Sequence, residues 1–322
     1  MRERLSTRLI TAAYLSAWRL VRLLPERLAY ALFRLIADYV WWRNGGGVQQ
    51  LSANLARAVP GASAEELRRL TRAGMRSYMR YWCDAFLLPD WDGERLARTC
   101  RVDEPERLKR IFAGGTGVVA ALSHQGNWDH AGAWAGLNLS KVTTVAERLK
   151  PEAVYQEFLG YRRRLGMEIF PLGEPGLMSQ LVRKAHAGAF VPLLADRDLS
   201  GNGVPVTFLG EASRMAPGPA AIALAAKVPL MPVNTYYEDL PGGGHGLVLQ
   251  IHEPVPVPTT GTKAEKIAAM TQGCADALSE GLRQHPQDWH MMQVVFDADL
   301  DPARLASREP ESREPAPREP GP

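Results

Sequence analysis

Residues 117–129 read Gly117-Val-Val-Ala-Ala-Leu-Ser-His124-Gln-Gly-Asn-Trp-Asp129, an apolar run that ends in a histidine and an aspartate. The apolar residues predict a buried strand, and the residues after His124 predict a turn and the start of a helix. Open α/β sheets bind ligands at the carboxyl ends of their strands, which is where His124 falls. A turn that brings Asp129 back to one ring nitrogen leaves the other nitrogen to take a proton. The stretch therefore predicts a general base, His124, with an orienting carboxylate, Asp129.

The same spacing has a purely structural interpretation, which spacing alone leaves open. A His-x4-Asp occurs by chance in many proteins, and a histidine after a strand often bonds only to backbone. Two neighbours favour catalysis, because Gly126 permits close backbone approach and Asn127 can donate to a developing negative charge. Backbone N–H groups near these two residues are candidates for holding an oxyanion. No Gly-x-Ser-x-Gly nucleophile motif lies nearby, which favours a base acting directly on a substrate hydroxyl.

The composition narrows the class of protein. With 322 residues, 46% hydrophobic and 23% charged, the chain is long and apolar enough for a folded globular protein. A net charge of +3 is too small to predict nucleic-acid binding. The three cysteines are dispersed and form no Cys-x-x-Cys, which favours reduced thiols and a cytosolic environment. The histidines form no His-Glu-x-x-His, so we expect no metal site.

The N-terminal segment, residues 1–43, predicts amphipathic helices. Residues 7–24 and the stretch after Pro25 show helical periodicity with arginines aligned on one face, and the second helix ends in Trp41-Trp42. Basic amphipathic helices with interfacial tryptophans suit the headgroup layer of a membrane. Alternatively they cap the domain core, and the two interpretations are compatible. A signal peptide is not expected, because no compact apolar core precedes a cleavage site.

Residues 44–300 predict one α/β domain, and the Pro-, Arg- and Glu-rich residues 301–322 predict a disordered tail. Residues 48–113 look helical and include a capping box at Ser63 to Glu66. From Gly117 strands alternate with helices, which predicts a mainly parallel sheet flanked by helices. The candidate strands are 117–123, 142–146, 168–171, 190–195, 230–236 and 247–251. The candidate helices are 102–112, 129–138, 151–165, 174–187, 215–227 and 263–285.

Three further charged segments are candidate binding residues. Glu147 and Arg148 follow the second core strand, where Arg148 suits a phosphate, although an ion pair at a helix start is an equal alternative for Glu147. The run Tyr161-Arg-Arg-Arg164 ends a helix, where basic side chains usually face solvent. An arginine of this run that points into the cleft, such as Arg164, would instead bind the phosphates of an acyl carrier. The cluster Asp196-Arg197-Asp198 follows a strand and opens a glycine-rich loop, an arrangement typical of a functional site. The apolar segment 204–210 is interpreted as a turn. It either lines a tunnel that binds the acyl chain or packs in the core without a binding role.

Taken together these segments resemble the bacterial glycerolipid and lipid A acyltransferase superfamily. The motif resemblance covers residues 115–235, with weaker matches at the N-terminal helices and at Pro286-Gln-Asp-Trp289-His-Met291. The histidine motif matches the family's His-x4-Asp, and Glu147-Arg148, Asp196–Asp198 and Phe208-Leu-Gly210 match later blocks. Within the superfamily the motifs are most similar to those of actinobacterial phosphatidylinositol mannoside acyltransferases.

The resemblance implies an enzyme that moves a fatty acyl group from acyl-CoA to a mannose hydroxyl of a membrane glycolipid. It implies a peripheral protein at the cytoplasmic face of the plasma membrane, with acyl-CoA as co-substrate and no cofactor. It further implies that His124 is the base and Asp129 its partner, and that Glu147 and the Asp196–Asp198 loop lie at the sugar or phosphate end. Two alternatives are a lipid A-type or lysophospholipid acceptor, and a lipid-binding membrane protein without catalysis.

Overall fold

The computed structural model describes residues 18–148, 152–198, 201–241 and 244–301, in which helices flank a mainly parallel sheet. Residues 18–23 are helical. The helices that follow are α1 (Glu26–Arg43), α2 (Gly46–Ala58), α3 (Ala64–Leu87), α4 (Gly93–Arg98), α5 (Pro105–Phe112), α6 (Trp128–Asn138), α7 (Glu152–Arg164), α8 (Leu177–His186), α9 (Gly218–Ala226) and α10 (Lys263–Gln284). The strands are β1 (Cys100–Val102), β2 (Val118–Leu122), β3 (Thr143–Ala146), β4 (Glu168–Pro171), β5 (Phe190–Leu194), β6 (Val204–Phe208), β7 (Glu211–Met215), β8 (Leu230–Leu240) and β9 (Gly244–Ile251).

The central sheet has five strands in the order β1-β9-β8-β2-β5. Strand β2 is parallel to both of its neighbours, β8 and β5, whereas β8 and β9 are antiparallel. All residues of β2 are buried, as expected for a strand covered on both faces. Val118, Ala120 and Leu122 belong to the core on one face of the sheet, and the residues between them belong to the core on the other. The predicted fold class is confirmed, and β2 ends two residues before the catalytic candidate His124.

Two elements differ from the sequence prediction. Strand β1 lies inside residues 48–113, which were predicted to be helical; it has three residues, too few for a strand periodicity to show, and it pairs parallel with β9. Segment 204–210, predicted to be an apolar turn, is mostly strand β6 of a hairpin with β7. Its turn residues Leu209 and Gly210 both have positive φ, 52° and 94°, which matches the twist of a two-residue hairpin. The part of predicted helix 7–24 before residue 18 and the predicted tail after residue 301 lie outside the described residues.

The second sheet, β3 paired with β4, meets the central sheet at a parallel bridge between Val142 and Phe190. Pro192 of β5 has no N–H with which to extend this pairing. Its carbonyl instead accepts a hydrogen bond from Thr144 Oγ1 at 2.6 Å. The sheet is therefore discontinuous beside β5, and residues of both β3 and β5 line the cavity described below.

Helix α1 packs on the domain through one face and leaves the other exposed. Ala29, Phe33 and Ala37 are buried in the core, which confirms the amphipathic pattern. The exposed side carries large apolar residues: Leu28, Leu32, Leu35, Ile36, Tyr39 and Trp42. Among the described residues, no helix has both the length and the hydropathy required to cross a bilayer.

Candidate active site

His124 is paired with Asp196 across two adjacent parallel strands. The ring atom Nδ1 lies 2.6 Å from Asp196 Oδ1, and the backbone N–H of His124 donates to Asp196 Oδ2 at 2.8 Å. The pairing follows from register, because Leu122 of β2 lies opposite Leu194 of β5, and each functional residue comes two positions after its strand's paired leucine. Parallel strands in register bring equivalent positions side by side at their carboxyl ends.

Asp129 has other partners. It lies in the first turn of α6, where Oδ1 accepts from Arg162 Nε at 2.6 Å and Oδ2 accepts from the Tyr81 hydroxyl at 3.1 Å. The expectation that Asp129 orients the His124 ring is therefore wrong, since Nδ1 is engaged by Asp196. The helix carries Asp129 towards α7 and α3, so its carboxylate forms a buried ion pair there.

The electrostatics favour an ionised Asp196 beside the His124 ring. Asp196 is fully buried, and burial by itself raises a carboxyl pKa. The His124 ring, its backbone N–H and the Trp289 indole outweigh burial, so the pKa of Asp196 lies below its ordinary value. Nδ1 then carries the proton that the carboxylate accepts, and Nε2 is the ring nitrogen that presents a lone pair. The His124 side chain keeps 21% exposure and lines a cavity, so Nε2 is accessible to a substrate.

Gly126 and Asn127 shape the loop instead of binding substrate. Gly126 has φ +58°, and a Cβ there would lie 2.6 Å from the Thr235 carbonyl oxygen, so only glycine fits. Its N–H donates to the Asp288 carbonyl at 2.9 Å. Asn127 caps α6 by accepting from the His130 N–H at 2.9 Å. Its amide donates to Asp84 at 3.2 Å, so neither the Asn127 amide nor the Gly126 N–H is placed to hold an oxyanion.

The Asp84 carboxylate joins this loop to helix α1. Asp84 is buried and accepts hydrogen bonds from both the Asn127 amide and the Tyr30 hydroxyl. Burial raises the pKa of Asp84, against the lowering effect of Arg80. Because Tyr30 belongs to α1, the exposed apolar helix is tied through one carboxylate to the turn that follows His124.

The predicted charged residues divide into those at the cavity and those away from it. Glu147 and Arg197 both line the cavity, with Arg197 Nη2 3.5 Å from Glu147 Oε2. Arg148 and Arg164 were predicted to bind substrate, but neither lines the cavity. They form exposed pairs with Glu152 and Glu157. The arginine of the 162–164 run that reaches the site is Arg162, because its position on α7 faces Asp129 and the cavity wall.

Asp196 and Asp198 have different tasks. Asp198 accepts from the backbone N–H groups of Gly201 and Gly203, at 3.1 and 2.9 Å, and so holds the glycine-rich loop in shape. It does not line the cavity, and the prediction that it contacts substrate finds no support in its position. Of the two acids, Asp196 is the one beside the histidine.

An apolar cavity of about 760 Å³ opens beside His124, within the ~300–1,000 Å³ range of small-molecule sites. Phe190, which pairs with Val118 at the start of β2, lines its far part. From the level of residue 118 to His124 the cavity follows about 20 Å of strand. Its apolar walls come from both sheets and from α6, α8 and α9, and include Leu122, Ala131, Ala135, Leu139, Met167, Leu181, Leu194, Ile222, Met231 and Ile251.

Two residues of the site were not identified from the sequence. Arg162 was one of three arginines on a helix end, and only the packing of α7 distinguishes it from the other two. Trp289 donates its indole N–H to Asp196 Oδ2 at 2.9 Å. Its one signal in the sequence was the weak motif match at Pro286–Met291, which carries no information about the contact.

The chain is similar to known acyltransferases over nearly its whole length. The family model described as bacterial lipid A biosynthesis acyltransferase matches residues 2–297. A phosphatidylinositol mannoside acyltransferase of Mycolicibacterium smegmatis is 40% identical over 295 residues, which cover 91% of this chain and 93% of that protein. A protein of the same name from Mycobacterium tuberculosis is 38% identical over 298 residues, covering 91% and 90%. These matches confirm the resemblance seen in the motifs, and the chain belongs to the bacterial lipid A biosynthesis acyltransferase family.

Proposed function

We propose that this acyltransferase moves a fatty acyl group from acyl-CoA to a mannose hydroxyl of a phosphatidylinositol mannoside, with His124 as the general base. The observation that carries the proposal is the His124–Asp196 pair at one end of a long apolar cavity. The two parts match the two requirements of the reaction, a proton acceptor for the attacking hydroxyl and an apolar space for the chain.

The dimensions of the cavity suit one acyl chain. A bilayer core of ~30 Å is spanned by two opposed chains, so one chain extends about 15 Å. The cavity follows about 20 Å of strand from residue 118 to His124. A chain that lies along β5, whose residues Phe190, Pro192 and Leu194 line the cavity, therefore fits with its thioester beside His124 and its methyl end near Phe190. The polar part of the donor then remains outside the apolar walls.

The proposed reaction is a direct acyl transfer. Nε2 of His124 takes the proton of the acceptor hydroxyl, and the hydroxyl oxygen attacks the thioester carbonyl carbon. The new C–O ester bond forms as the C–S bond breaks, and the thiolate of CoA leaves with the proton from the imidazolium. Asp196 stabilises that imidazolium through Nδ1. General base catalysis of this kind typically supplies about 10²–10⁴ in rate.

The acceptor is proposed from the names of the relatives together with the polar rim of the cavity. Both relatives carry the name phosphatidylinositol mannoside acyltransferase. Glu147, Arg162, Glu174 and Arg197 are the charged residues that join His124 and Asp129 along the cavity wall. The Glu147 side chain is 53% exposed and suits sugar hydroxyls as an acceptor of hydrogen bonds. The arginines suit an anionic group such as a phosphate.

We also propose peripheral attachment at the cytoplasmic membrane face through helix α1. Its exposed leucines and Trp42 form one apolar face, as in helices that lie in the interfacial layer. Tyr30 on the same helix bonds to Asp84, which bonds to the loop after His124. The attachment surface is thereby joined to the site that receives the lipid acceptor.

Mass spectrometry of lipids acylated by the purified protein from defined acyl-CoAs tests the proposal. Parallel reactions contain a phosphatidylinositol mannoside, unmannosylated phosphatidylinositol, a lysophospholipid and a lipid A-type precursor. We expect an added acyl group on the mannoside alone, lost in His124→Ala and kept in the control His186→Ala, whose side chain is outside the cavity wall. Transfer to a different acceptor overturns the substrate assignment. Normal turnover by a folded His124→Ala protein overturns the base assignment.

A further inference from the structure

We propose that Trp289 is a positioning residue for the His124–Asp196 pair, and that its indole N–H sets the pH at which the base becomes active. The inference rests on the proposed function, in which His124 is the general base. Trp289 is fully buried, and its Nε1 lies 2.9 Å from Asp196 Oδ2. Its side chain does not line the cavity, so the indole acts on the histidine through the carboxylate.

The indole completes the coordination of one carboxylate. Asp196 Oδ1 accepts from the His124 ring, and Oδ2 accepts from the His124 backbone N–H and from the Trp289 indole. Three donors fix the plane of the carboxylate and hence the direction from which it meets Nδ1. A fully buried carboxylate without its full set of donors is costly, which explains why a large aromatic donor fills this position.

The segment that contains Trp289, residues 288–290, also forms hydrogen bonds with the backbone of the loop at residues 124–126. The His290 N–H donates to the His124 carbonyl at 2.8 Å, and the Gly126 N–H donates to the Asp288 carbonyl at 2.9 Å. Gln125 and Trp289 lie opposite one another in an antiparallel bridge. Residues 288–290 thus pair with residues 124–126 like a short strand, which brings the Trp289 side chain to the carboxylate that serves the loop.

A hydrogen bond to a carboxylate favours its ionised form and neutralises part of its charge. Without the indole N–H, Asp196 keeps more of its negative charge for the protonated histidine ring. The imidazolium is then favoured up to a higher pH, and the neutral base forms later on the pH scale. Loss of the N–H therefore moves the acidic limb of the rate profile upward, by about half a pH unit.

The other charged and titratable groups around the pair are held by partners of their own. Asp129 is bonded to Arg162 and Tyr81, and Glu147 lies against Arg197. On the Trp289 segment, His290 is buried, which lowers its pKa to about 3 and keeps it neutral. Asp288, whose pKa burial raises to about 6, accepts from Ser77 and the Tyr237 N–H. A change confined to the indole N–H leaves these groups in place.

The experiment replaces Trp289 by 3-benzothienylalanine, an isostere in which sulfur stands where the indole has N–H, and separately by phenylalanine. The rate constant kcat/KM for transfer from acyl-CoA to the mannoside is measured between about pH 5 and 9. The Nδ1 proton of His124 is followed by NMR in the same proteins. Trp18→Phe is the matched control, because Trp18 is also buried and donates its indole N–H, at 3.2 Å, to the Phe86 carbonyl away from the site.

We expect the isostere to keep the fold, to move the acidic limb upward by about half a unit and to shift the Nδ1 proton resonance. We expect Trp18→Phe to lower stability without moving the limb. An isostere variant with a wild-type acidic limb and an unshifted Nδ1 resonance overturns the inference about Trp289, and leaves the proposed function standing. An inactive wild-type protein, or an active His124→Ala protein, instead overturns the proposed function.

Discussion

The Nδ1 atom of His124 lies 2.6 Å from Oδ1 of Asp196, although 72 positions separate the two residues in the chain. Asp196→Asn presents an amide N–H to Nδ1 and favours the tautomer with its proton on Nε2, which cannot accept the hydroxyl proton. We expect kcat for acyl transfer to fall by about 10³–10⁴, as in other histidine–aspartate pairs. Steady-state kinetics with one acyl-CoA measure this loss of kcat.

Asp198→Asn is the matched control for that variant. Asp198 holds the Gly201 and Gly203 N–H groups, and an asparagine oxygen still accepts one of these hydrogen bonds. We expect this variant to keep most of its activity. If the two variants lose activity equally, the assignment of Asp196 as the orienting carboxylate is wrong.

Asp129 and Arg162 form a buried pair whose disruption is expected to act first on stability. Asp129→Asn leaves the Arg162 guanidinium, which is only 18% exposed, without its buried carboxylate partner, which costs about 3 kcal/mol. The double variant Asp129→Asn/Arg162→Met removes the uncompensated charge and is expected to recover part of that loss. Urea unfolding followed by circular dichroism measures both.

Arg164→Met tests the same chemistry at an exposed pair on the same helix. Arg164 and Glu157 are more than a third exposed, so we expect a change of at most about 1 kcal/mol. A loss in Arg164→Met as large as that in Asp129→Asn contradicts the view that burial makes the Asp129–Arg162 pair important.

The contrast between Asp129 and Asp196 shows which features can be predicted from the sequence and which cannot. Strand β2 and the helix after His124 follow from local patterns, an uninterrupted apolar run and a helical period, and both were predicted within a few residues. The carboxylate that meets the ring depends on which strand pairs with β2 and in what register. Local spacing therefore favoured Asp129, five residues away, over Asp196 on the neighbouring strand.

The same limit explains the misassigned arginines and loop residues. Arg162 and Arg164 differ in sequence only by position on one helix, and their roles separate when α7 packs with one of them facing Asp129. Asn127 has the chemistry of an oxyanion donor, but in the fold it caps α6 and meets a buried carboxylate from α3. The sequence indicates the chemistry that each side chain is capable of, whereas the partner of each residue is set by tertiary packing.

Ala135→Leu is expected to shorten the acyl chain that the enzyme accepts. Ala135 lines the cavity on α6, about 10 Å along the helix from Trp128, whose ring lies 5.6 Å from the His124 ring. Overpacking costs about 1–3 kcal/mol, so transfer from long-chain acyl-CoA should fall by about 5- to 150-fold. Transfer from octanoyl-CoA should change little. Leu137→Ala, an exposed position on the same helix, is the control, and an equal loss for long and short donors contradicts the placement of the chain.

His130 makes the stability of the protein depend on pH. Burial lowers its pKa to about 4, from an ordinary value of about 6.5. The folded protein therefore binds fewer protons than the unfolded chain below pH 6.5, and the free energy of unfolding falls as the pH drops from about 6.5 to 4. His130→Gln should flatten that fall by an amount on the order of 2–3 kcal/mol. Thermal unfolding across this range measures how steeply stability changes with pH. The exposed control His186→Gln should keep the wild-type slope, and an equally steep slope in His130→Gln contradicts the prediction.

The exposed face of α1 is expected to hold the protein on lipid vesicles. Leu28 and Leu35 are 57% and 67% exposed on this helix, and full burial of a leucine is worth about 1.5–3 kcal/mol. We therefore expect Leu28→Glu/Leu35→Glu to bind anionic vesicles more than about tenfold more weakly in co-sedimentation, because even partial burial of the two leucines in the membrane would be lost. The control Leu137→Glu/Val257→Glu changes apolar residues that are 59% and 48% exposed outside α1 and away from the cavity wall, and its binding should stay near that of the wild type. Thioester hydrolysis of acyl-CoA in buffer without lipid checks that both proteins are folded. Equal loss of binding in the two variants indicates a general effect of added negative charge, and unchanged binding in the α1 variant excludes this face as the attachment surface.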